Sequence, residues 1–386
     1  MILNIYTDRD ATLFEKYPTQ NTGIDPILSL TKIESGSLFQ GFYQSNTYNS
    51  RILLDFSTEL IAISNSIVNG EIPAPGISAS GSQYFLNLKA SDANSLPISY
   101  NLEAFPVSES WENGNGYLDD IPIETNGVSW KYRDGSSESP ISWASGSQIQ
   151  SGGGGGTTEA GGGTWYTEMP SGQKVIATAS FDYQSPDIRM NITNMVSAWL
   201  GGTIKSNNGL ILKRPTTDEQ SSKRFGKLDF FGKDTNTIYA PRIEVAYRDA
   251  SIVAEDLVEE IAEDNVTVYF KNLRDKYREA DQVKVRVACR ETYPTKTYST
   301  ASFYAQVKRF PTSSYFAVKD AVTEETVIPF NKLFTQLSLD SKGNYFNVRF
   351  NSFAPERTYK FLIKAESDGG NSVRIYDNGY YFKVVR

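Results

Sequence analysis

Two periodicities share this chain. In residues 191–213, NITNMVSAWLGGTIKSNNGLILK, Ile192, Met195, Val196, Trp199 and Leu200 fall at i, i+3, i+4, i+7 and i+8, which sets them on one helical face. Asn191 is placed to cap that helix, and Gly201-Gly202 to stop it. Asn207-Asn208-Gly209 then turns the chain into a short apolar run, Leu210 to Leu212, expected to be a strand. Almost everywhere else the period is two. Arg51-Ile52-Leu53-Leu54-Asp55-Phe56 predicts a strand with a buried middle, followed by strands over Tyr84–Leu88 and Ile98–Val107. In the last of these, Tyr100, Leu102 and Ala104 alternate with Asn101, Glu103 and Phe105. Glu112-Asn113-Gly114-Asn115-Gly116 and Asp134-Gly135 read as turns. Pro241 to Tyr247 reads as a closing strand.

The same period governs the C-terminal third. Val266, Val268 and Phe270 alternate, as do Val283, Val285, Val287 and Cys289 against Lys284, Arg286 and Ala288. Tyr359, Phe361 and Ile363 alternate with Lys360 and Lys364, and Leu362 breaks the pattern. Asp377-Asn378-Gly379 between two apolar runs predicts a hairpin. About eight or nine short strands in this stretch suggest one Ig-like sandwich.

The helix and strand patterns predict an all-β chain: a β-sandwich with one short packed helix, over 1–248, then an acidic linker at 249–264 and a second sandwich at 265–386. The linker contains AEDLVEEIAED (254–264), for which some helical character is expected. Residues 151–163, SGGGGGTTEAGGG, are a low-complexity glycine segment. The five tryptophans, Trp111, Trp130, Trp143, Trp165 and Trp199, straddle it, so a long surface loop within one domain fits better than a linker. An arm ordered against a neighbouring subunit is the alternative to a mobile loop.

Composition narrows the chemistry. The 386 residues contain no histidine and one cysteine, Cys289. Histidine-based triads, histidine-ligated zinc and an internal disulfide are thereby excluded. A net charge of −7 argues against general nucleic-acid binding. No run approaches the roughly 20 apolar residues of a membrane span. The start, MILNIYTDRDATLF, has no basic region leading into an apolar one, so a chain that remains where it is made, or leaves inside an assembled particle, is expected. Adjacent carboxylates such as Asp119-Asp120 and Glu324-Glu325 point to opposite faces of a strand and make poor glycosidase pairs. No acidic calcium loop is present, and no cofactor or metal is expected. Cys289 is expected to be a small buried hydrophobe.

An ordered series of motifs spans the first 248 residues: Arg51–Phe56, Ser108-Glu-Ser-Trp111, Gly127-Val-Ser-Trp-Lys-Tyr-Arg-Asp-Gly135, Trp143, the glycine segment, Phe181-Asp182, Ile192-Thr193 with Trp199, Asn208–Leu212 and Pro241–Val245. This series resembles the DNRLRE-type, disaggregatase-related modules of bacterial surface and phage proteins. The resemblance implies a jelly roll with a helix packed on one end of the sandwich, and in some members binding of acidic polysaccharide. Ser314–Ala321, Glu324–Phe330, Gly343–Phe346 and Pro355–Phe361 resemble an Ig-like domain of tailed-phage structural proteins. Together the resemblances imply a non-enzymatic virion component of a tail, baseplate or neck, made in the host cytoplasm. Its partners would be other virion proteins, in multiple copies within a symmetric assembly. The alternative they imply is a carbohydrate-binding module touching host or surface polysaccharide. Trp165, Tyr166 and Arg133 are the candidate sugar contacts, the first two by aromatic stacking and Arg133 by a bidentate grip on a carboxylate. Trp111, Trp130, Trp199 and Met195 are candidate core residues, with the helix acting as a lid over the sandwich end.

Overall fold

The computed structural model describes the chain apart from residues 40–41, 79, 137, 145–160, 170–171, 183–185, 205–206, 254–259, 262–265, 295–306 and 368–371, and within 34–46 only the backbone is described. It forms two compact units: Ile5–Ile77 with Ser82–Glu244, and Val245–Arg386 with Met1–Asn4 and Ser78–Gly81. Both are β-sandwiches, jelly-roll-like in the first and Ig-like in the second.

Up to Ala246 the strands are β1 (Ile2–Tyr6), β2 (Arg9–Phe14), β3 (Ile27–Phe39), β4 (Phe42–Asp55), β5 (Gln83–Leu88), β6 (Ala90–Asn94), β7 (Ser99–Pro106), β8 (Tyr132–Asp134), β9 (Ile141–Ser142), β10 (Ala177–Asp182), β11 (Ile188–Asn191), β12 (Leu210–Lys213), β13 (Gly226–Phe231) and β14 (Arg242–Ala246). One sheet has the order β1-β14-β5-β11, and the division between units falls within β1 and β14. The larger sheet runs β10-β7-β12-β4-β3-β13-β6, with β2 also paired to β4. β8 and β9 form a small ribbon.

The continuous apolar runs at Ile52–Leu54 and Leu210–Leu212 have a physical cause. Register aligns Leu53 with Ala11 and Ile211, and Ile211 with Phe105. These residues share one face of the large sheet, where they join a cluster with Trp111, Trp130, Trp143 and Trp165. Ile52, Leu54, Leu210 and Leu212 alternate to the opposite face and are equally buried. A strand covered on both faces loses the alternation that a half-exposed strand keeps. β5 shows the other case: Tyr84, Leu86 and Leu88 are buried, and Phe85 and Asn87 lie nearer the surface.

Among the described residues there are three α-helices: α1 (Ser57–Val68), α2 (Thr193–Leu200) and α3 (Thr216–Gln220). The expectation of a single helix is therefore corrected. In α1 only Leu60 and Ile63 are buried, and Ile61 and Val68 face solvent, so its apolar stripe is thin. Its first turn is held by carboxylates: Asp55 accepts from the Ser57 amide at 2.9 Å, and Asp8 from the Thr58 amide at 2.8 Å. Acceptors there offset the unpaired amides and the positive end of the helix dipole. Asp55 is local but Asp8 is distant in sequence, so only part of this capping can be read from the neighbouring residues. α2 packs against β5. Asn191 accepts from the Thr193 amide at 2.9 Å, and Thr193 Oγ1 accepts from the Tyr84 amide at 2.9 Å. Met195, Val196 and Trp199 are buried.

The second unit contains β15 (Val266–Phe270), β16 (Lys276–Arg278), β17 (Gln282–Glu291), β18 (Ser314–Asp320), β19 (Thr326–Ile328), β20 (Ser338–Asp340), β21 (Gly343–Arg349), β22 (Thr358–Ser367) and β23 (Ser372–Val385). Its sheets run β15-β17-β21-β20 and β16-β23-β22-β18-β19. Without tryptophan, the core is filled by stacked rings: Phe316 on Phe346 at 4.3 Å, Phe361 on Phe382 at 4.5 Å and Tyr277 on Phe350 at 4.1 Å. Part of the expected acidic linker is paired within this unit. Ile252 bridges Leu339, and Glu260 bridges Arg309 and pairs with its guanidinium at 2.6 Å. The stretch expected to have helical character lies mostly outside the described residues.

The predicted hairpin at Asp377-Asn378-Gly379 is instead a bulge inside β23. Phe361 pairs with Tyr380 and Ile363 with Tyr376, so Leu362 alone faces Asp377, Asn378 and Gly379. Extra residues on one strand bend it without ending it, and Gly379 supplies the left-handed conformation at φ 72°. Leu362 breaks its own alternation at this same point.

Gly209 carries the entry into β12 at φ 81°, and a Cβ there would run into the Leu54 carbonyl. Gly209→Ala is expected to cost at least about 2 kcal/mol, read by urea unfolding followed through tryptophan fluorescence. An unchanged midpoint would show that this turn relaxes freely.

Candidate functional site

The sequence places charges directly beside its most apolar runs: Arg51 before Ile52, and Lys213-Arg214 after Leu212. Folding brings them together with Glu219 of α3. Arg51 donates from Nε to Glu219 Oε1 at 3.0 Å and from Nη2 to Oε2 at 2.8 Å, while Nη1 donates to the Gly162 carbonyl at 2.7 Å. Its guanidinium lies 4.8 Å from the Trp130 ring centroid and 5.1 Å from that of Trp165. Lys213 Nζ is 3.3 Å from Glu219 Oε2, donates to the Arg214 carbonyl at 2.6 Å and sits 5.5 Å from the Trp165 ring. Burial pushes the Lys213 ammonium below its ordinary pKa, opposed by the Glu219 charge. Desolvation likewise lowers Arg214 to about 10. Gly161, Gly162 and Gly163 are buried around this group, and a Cβ on Gly162 would meet the Arg51 guanidinium. The described end of the glycine segment is thus a cradle for Arg51 and Trp130. Residues 151–160 lie outside the described residues.

This cluster is closed: the side chains of Arg51, Lys213 and Glu219 are 4%, 1% and 5% exposed. Its chemistry is that of a clasp joining β4, β12, α3 and Gly162. Trp165, expected as a sugar platform, is 4% exposed and packs 5.8 Å from Phe105. That expectation is corrected: the ring is spent in the core beneath two cations. Tyr166 is half-buried, with its amide donating to the Pro106 carbonyl at 3.0 Å. Arg133 is half-buried too, donating from Nη1 to the Ser110 carbonyl at 2.9 Å and to its Oγ at 3.1 Å, with Nε 3.8 Å from Glu109. Glu109 also accepts from Thr164 Oγ1 at 2.8 Å, so Arg133 and the 164–166 segment are neighbours. Among the described residues they form no open cleft of aromatic faces. Trp111, Trp130, Trp199 and Met195 are all buried, and the Trp111 indole donates to the Asn208 carbonyl at 2.9 Å.

The carboxylates and the thiol singled out in the sequence have partners of their own. Asp120 accepts from the Tyr117 amide at 2.8 Å, and Glu324 pairs with Lys360 at 2.8 Å. Cys289 is buried, donates to the Lys308 carbonyl at 3.3 Å and has its thiol pushed up to about 12 by burial, which removes it as a nucleophile. Among the described residues no three His, Cys, Asp or Glu side chains are grouped to hold a metal, and no helix is long and apolar enough to cross a membrane.

Among the apolar side chains that reach solvent, several sit together on one loop. Residues 117–124, YLDDIPIE, expose Ile121 at 96%, with Ile123 and Tyr117 also exposed. Its base is fixed by Asn21, which donates from Nδ2 to the Asn113 and Val128 carbonyls at 2.8 Å each and accepts from the Gly116 amide at 2.8 Å. The Asn21 amide donates to the Glu124 carbonyl at 2.9 Å. Asp25 accepts from the Leu118 amide at 3.1 Å, and Gln20 donates to the carbonyls of Tyr117 and Leu118. Apolar side chains are therefore held in water by a loop that does not need to order on contact.

Comparison with protein-family models, with curated proteins and with solved structures finds no match.

Two outcomes follow. Glu219→Ala would leave Arg51 and Lys213 buried without a counter-charge, an expected loss of about 3–5 kcal/mol by denaturant unfolding; a loss below about 1 kcal/mol would show that the clasp is dispensable. Asp10 is 1% exposed, and its Oδ2 accepts from the Lys233 amide at 2.6 Å. Burial raises its pKa from 3.8 to about 7, with Asp234 and Asp25 adding to the rise and Lys233 opposing it. A carboxyl whose pKa is raised by folding penalises the native state above its unfolded value, so this group's contribution falls as pH climbs from about 4 to about 7 and is level beyond. Asp10→Asn should therefore gain about 1–3 kcal/mol at pH 8 and progressively less toward pH 4; a pH-independent difference would contradict the burial account.

Proposed function

We propose that this chain is a non-enzymatic structural component of a tailed-phage virion, in the tail, baseplate or neck, and that it works by protein–protein contact. The observation that carries this reading is the fixed loop 117–124, which holds Ile121 fully in solvent. An apolar side chain on a pre-ordered support loses little entropy when a partner covers it. The residues with recognisable chemistry are meanwhile consumed internally: the tryptophan faces by packing, and Arg51, Lys213 and Glu219 by one another. The resemblance of both halves to modules of phage proteins supports the same reading.

A carbohydrate-binding role needs aromatic faces open to pyranose rings, and Trp165 at 4% exposure does not offer one. Titration of the purified protein with acidic and neutral polysaccharides is expected to leave its tryptophan fluorescence unchanged up to about millimolar sugar. Trp165→Ala is expected to lower stability by about 3–5 kcal/mol, without any sugar affinity to lose. Quantitative mass spectrometry of purified virions should find the chain in fixed stoichiometry with other particle proteins. Its absence from particles, or release of reducing ends from a polysaccharide, would overturn the proposal.

A further inference from the structure

Arg214 directly follows β12 and is 1% exposed. Its Nη2 donates to the Phe225 carbonyl at 3.0 Å, with the Leu30 carbonyl at 3.5 Å. Nε and Nη1 are buried as well, and among the described residues they meet no acceptor. The guanidinium lies 5.3 Å from the Phe225 ring centroid and 6.0 Å from that of Tyr100. Rings offset part of a cation's charge, yet they offer no lone pair to the two N–H groups. Burial lowers the pKa to about 10, which leaves the group charged at neutral pH.

The surroundings do not supply the missing negative charge. Lys32, Arg51, Lys213 and Arg214 are all buried, and among the described residues one buried carboxylate, that of Glu219, lies between them. Glu219 is already engaged by Arg51 at 2.8 and 3.0 Å and by Lys213 at 3.3 Å. Lys32 gives its protons to the carbonyls of Asp218, Glu219 and Ser221. Asp218 and Glu103 are half-buried, and they act on Arg214 and Lys213 from beyond ion-pair distance. Four buried cations thus share one buried carboxylate. An uncompensated buried charge is strongly destabilising, and a buried donor without a protein acceptor is accounted for by a bound water or ion. A water accepts the hydrogen but leaves the imbalance of charge as it is. An anion answers both.

We infer that the first unit encloses a small monovalent anion of the halide class against the Arg214 guanidinium, accepting from a donor that no protein oxygen reaches. Glu219 and Asp218 are near enough to disfavour a second negative charge, so a halide suits the position better than sulfate or phosphate. An anion this deeply buried is taken up as the chain folds. It is part of the fold, and it is independent of the role proposed above.

The test uses bromide as the probe and the full-length chain. The protein is unfolded in urea, refolded in sodium bromide and crystallised from it. Anomalous diffraction at the bromine edge should show a peak in hydrogen-bond contact with Arg214 Nε or Nη1. In solution, urea unfolding is followed at constant ionic strength while bromide replaces gluconate, an anion too bulky for the interior. Once the site saturates, each tenfold rise in bromide should raise the folding equilibrium constant about tenfold. Arg214→Gln removes the cation and should lose this dependence. If that variant does not fold, the anomalous map of the wild type decides alone. A map without a bromine peak at Arg214, or a bromide dependence equal in the two proteins, overturns the proposal. Ordinary water density there, with no anomalous signal, assigns the position to water and overturns it equally.

Discussion

The first unit depends on a buried ion pair. Arg51 and Glu219 face each other through two hydrogen bonds, and the third guanidinium arm is taken by the Gly162 carbonyl. Two charges removed from water are costly unless nearly every polar atom finds a partner. Here Lys213 fills out the carboxylate and the rings of Trp130 and Trp165 cover the cation. Each of these partners comes from a different part of the chain: β4, β12, α3, the 130s and the end of the glycine segment. The pair therefore draws together parts that lie far apart in the chain.

That clasp lies at the large sheet, whose central strands β4 and β12 are buried on both faces at Ile52–Leu54 and Leu210–Leu212. The described parts of the chain between β7 and β10 cover one face of it, and four of the five tryptophans pin them down. Once that layer is fixed, its outer turns are fixed as well. Asn21 and Asp25, next to β2 and β3, hold loop 117–124 from beneath. Burial of the aromatic residues and exposure of the isoleucines are thus two sides of one arrangement. Rings that would suit sugar stacking are used to attach the layer, and the layer then holds apolar side chains where another protein can cover them.

The second unit reaches similar order by other means. Its core is a run of stacked and edge-on phenylalanine and tyrosine rings, and several of its surface cations are paired with carboxylates. Asp340 is held down to about 2 by hydrogen bonds from Arg286, an ordinary surface pair.

The sequence by itself determined whatever depends on neighbouring residues. Period-two runs became β5, β7, β17 and β22. The stripe from Ile192 to Leu200 became α2, stopped at Gly201-Gly202, and Asn207-Asn208-Gly209 opened β12. The all-β class, the absence of histidine chemistry and the burial of Cys289 were legible for the same reason. Tertiary structure decided whatever depends on a distant partner. α1 was hidden because Asp8 supplies one of its capping acceptors from far away. Asp377-Asn378-Gly379 has the local chemistry of a hairpin, yet β22 continues alongside and makes it a bulge. Trp165 follows a glycine segment and reads as exposed, until Arg51 and Lys213 arrive over its ring from other strands. Local propensity is worth tenths of a kcal/mol per residue, while burial of one ring or one charge is worth several. Where the two compete, the contact between distant residues wins, and no periodicity along the chain records it.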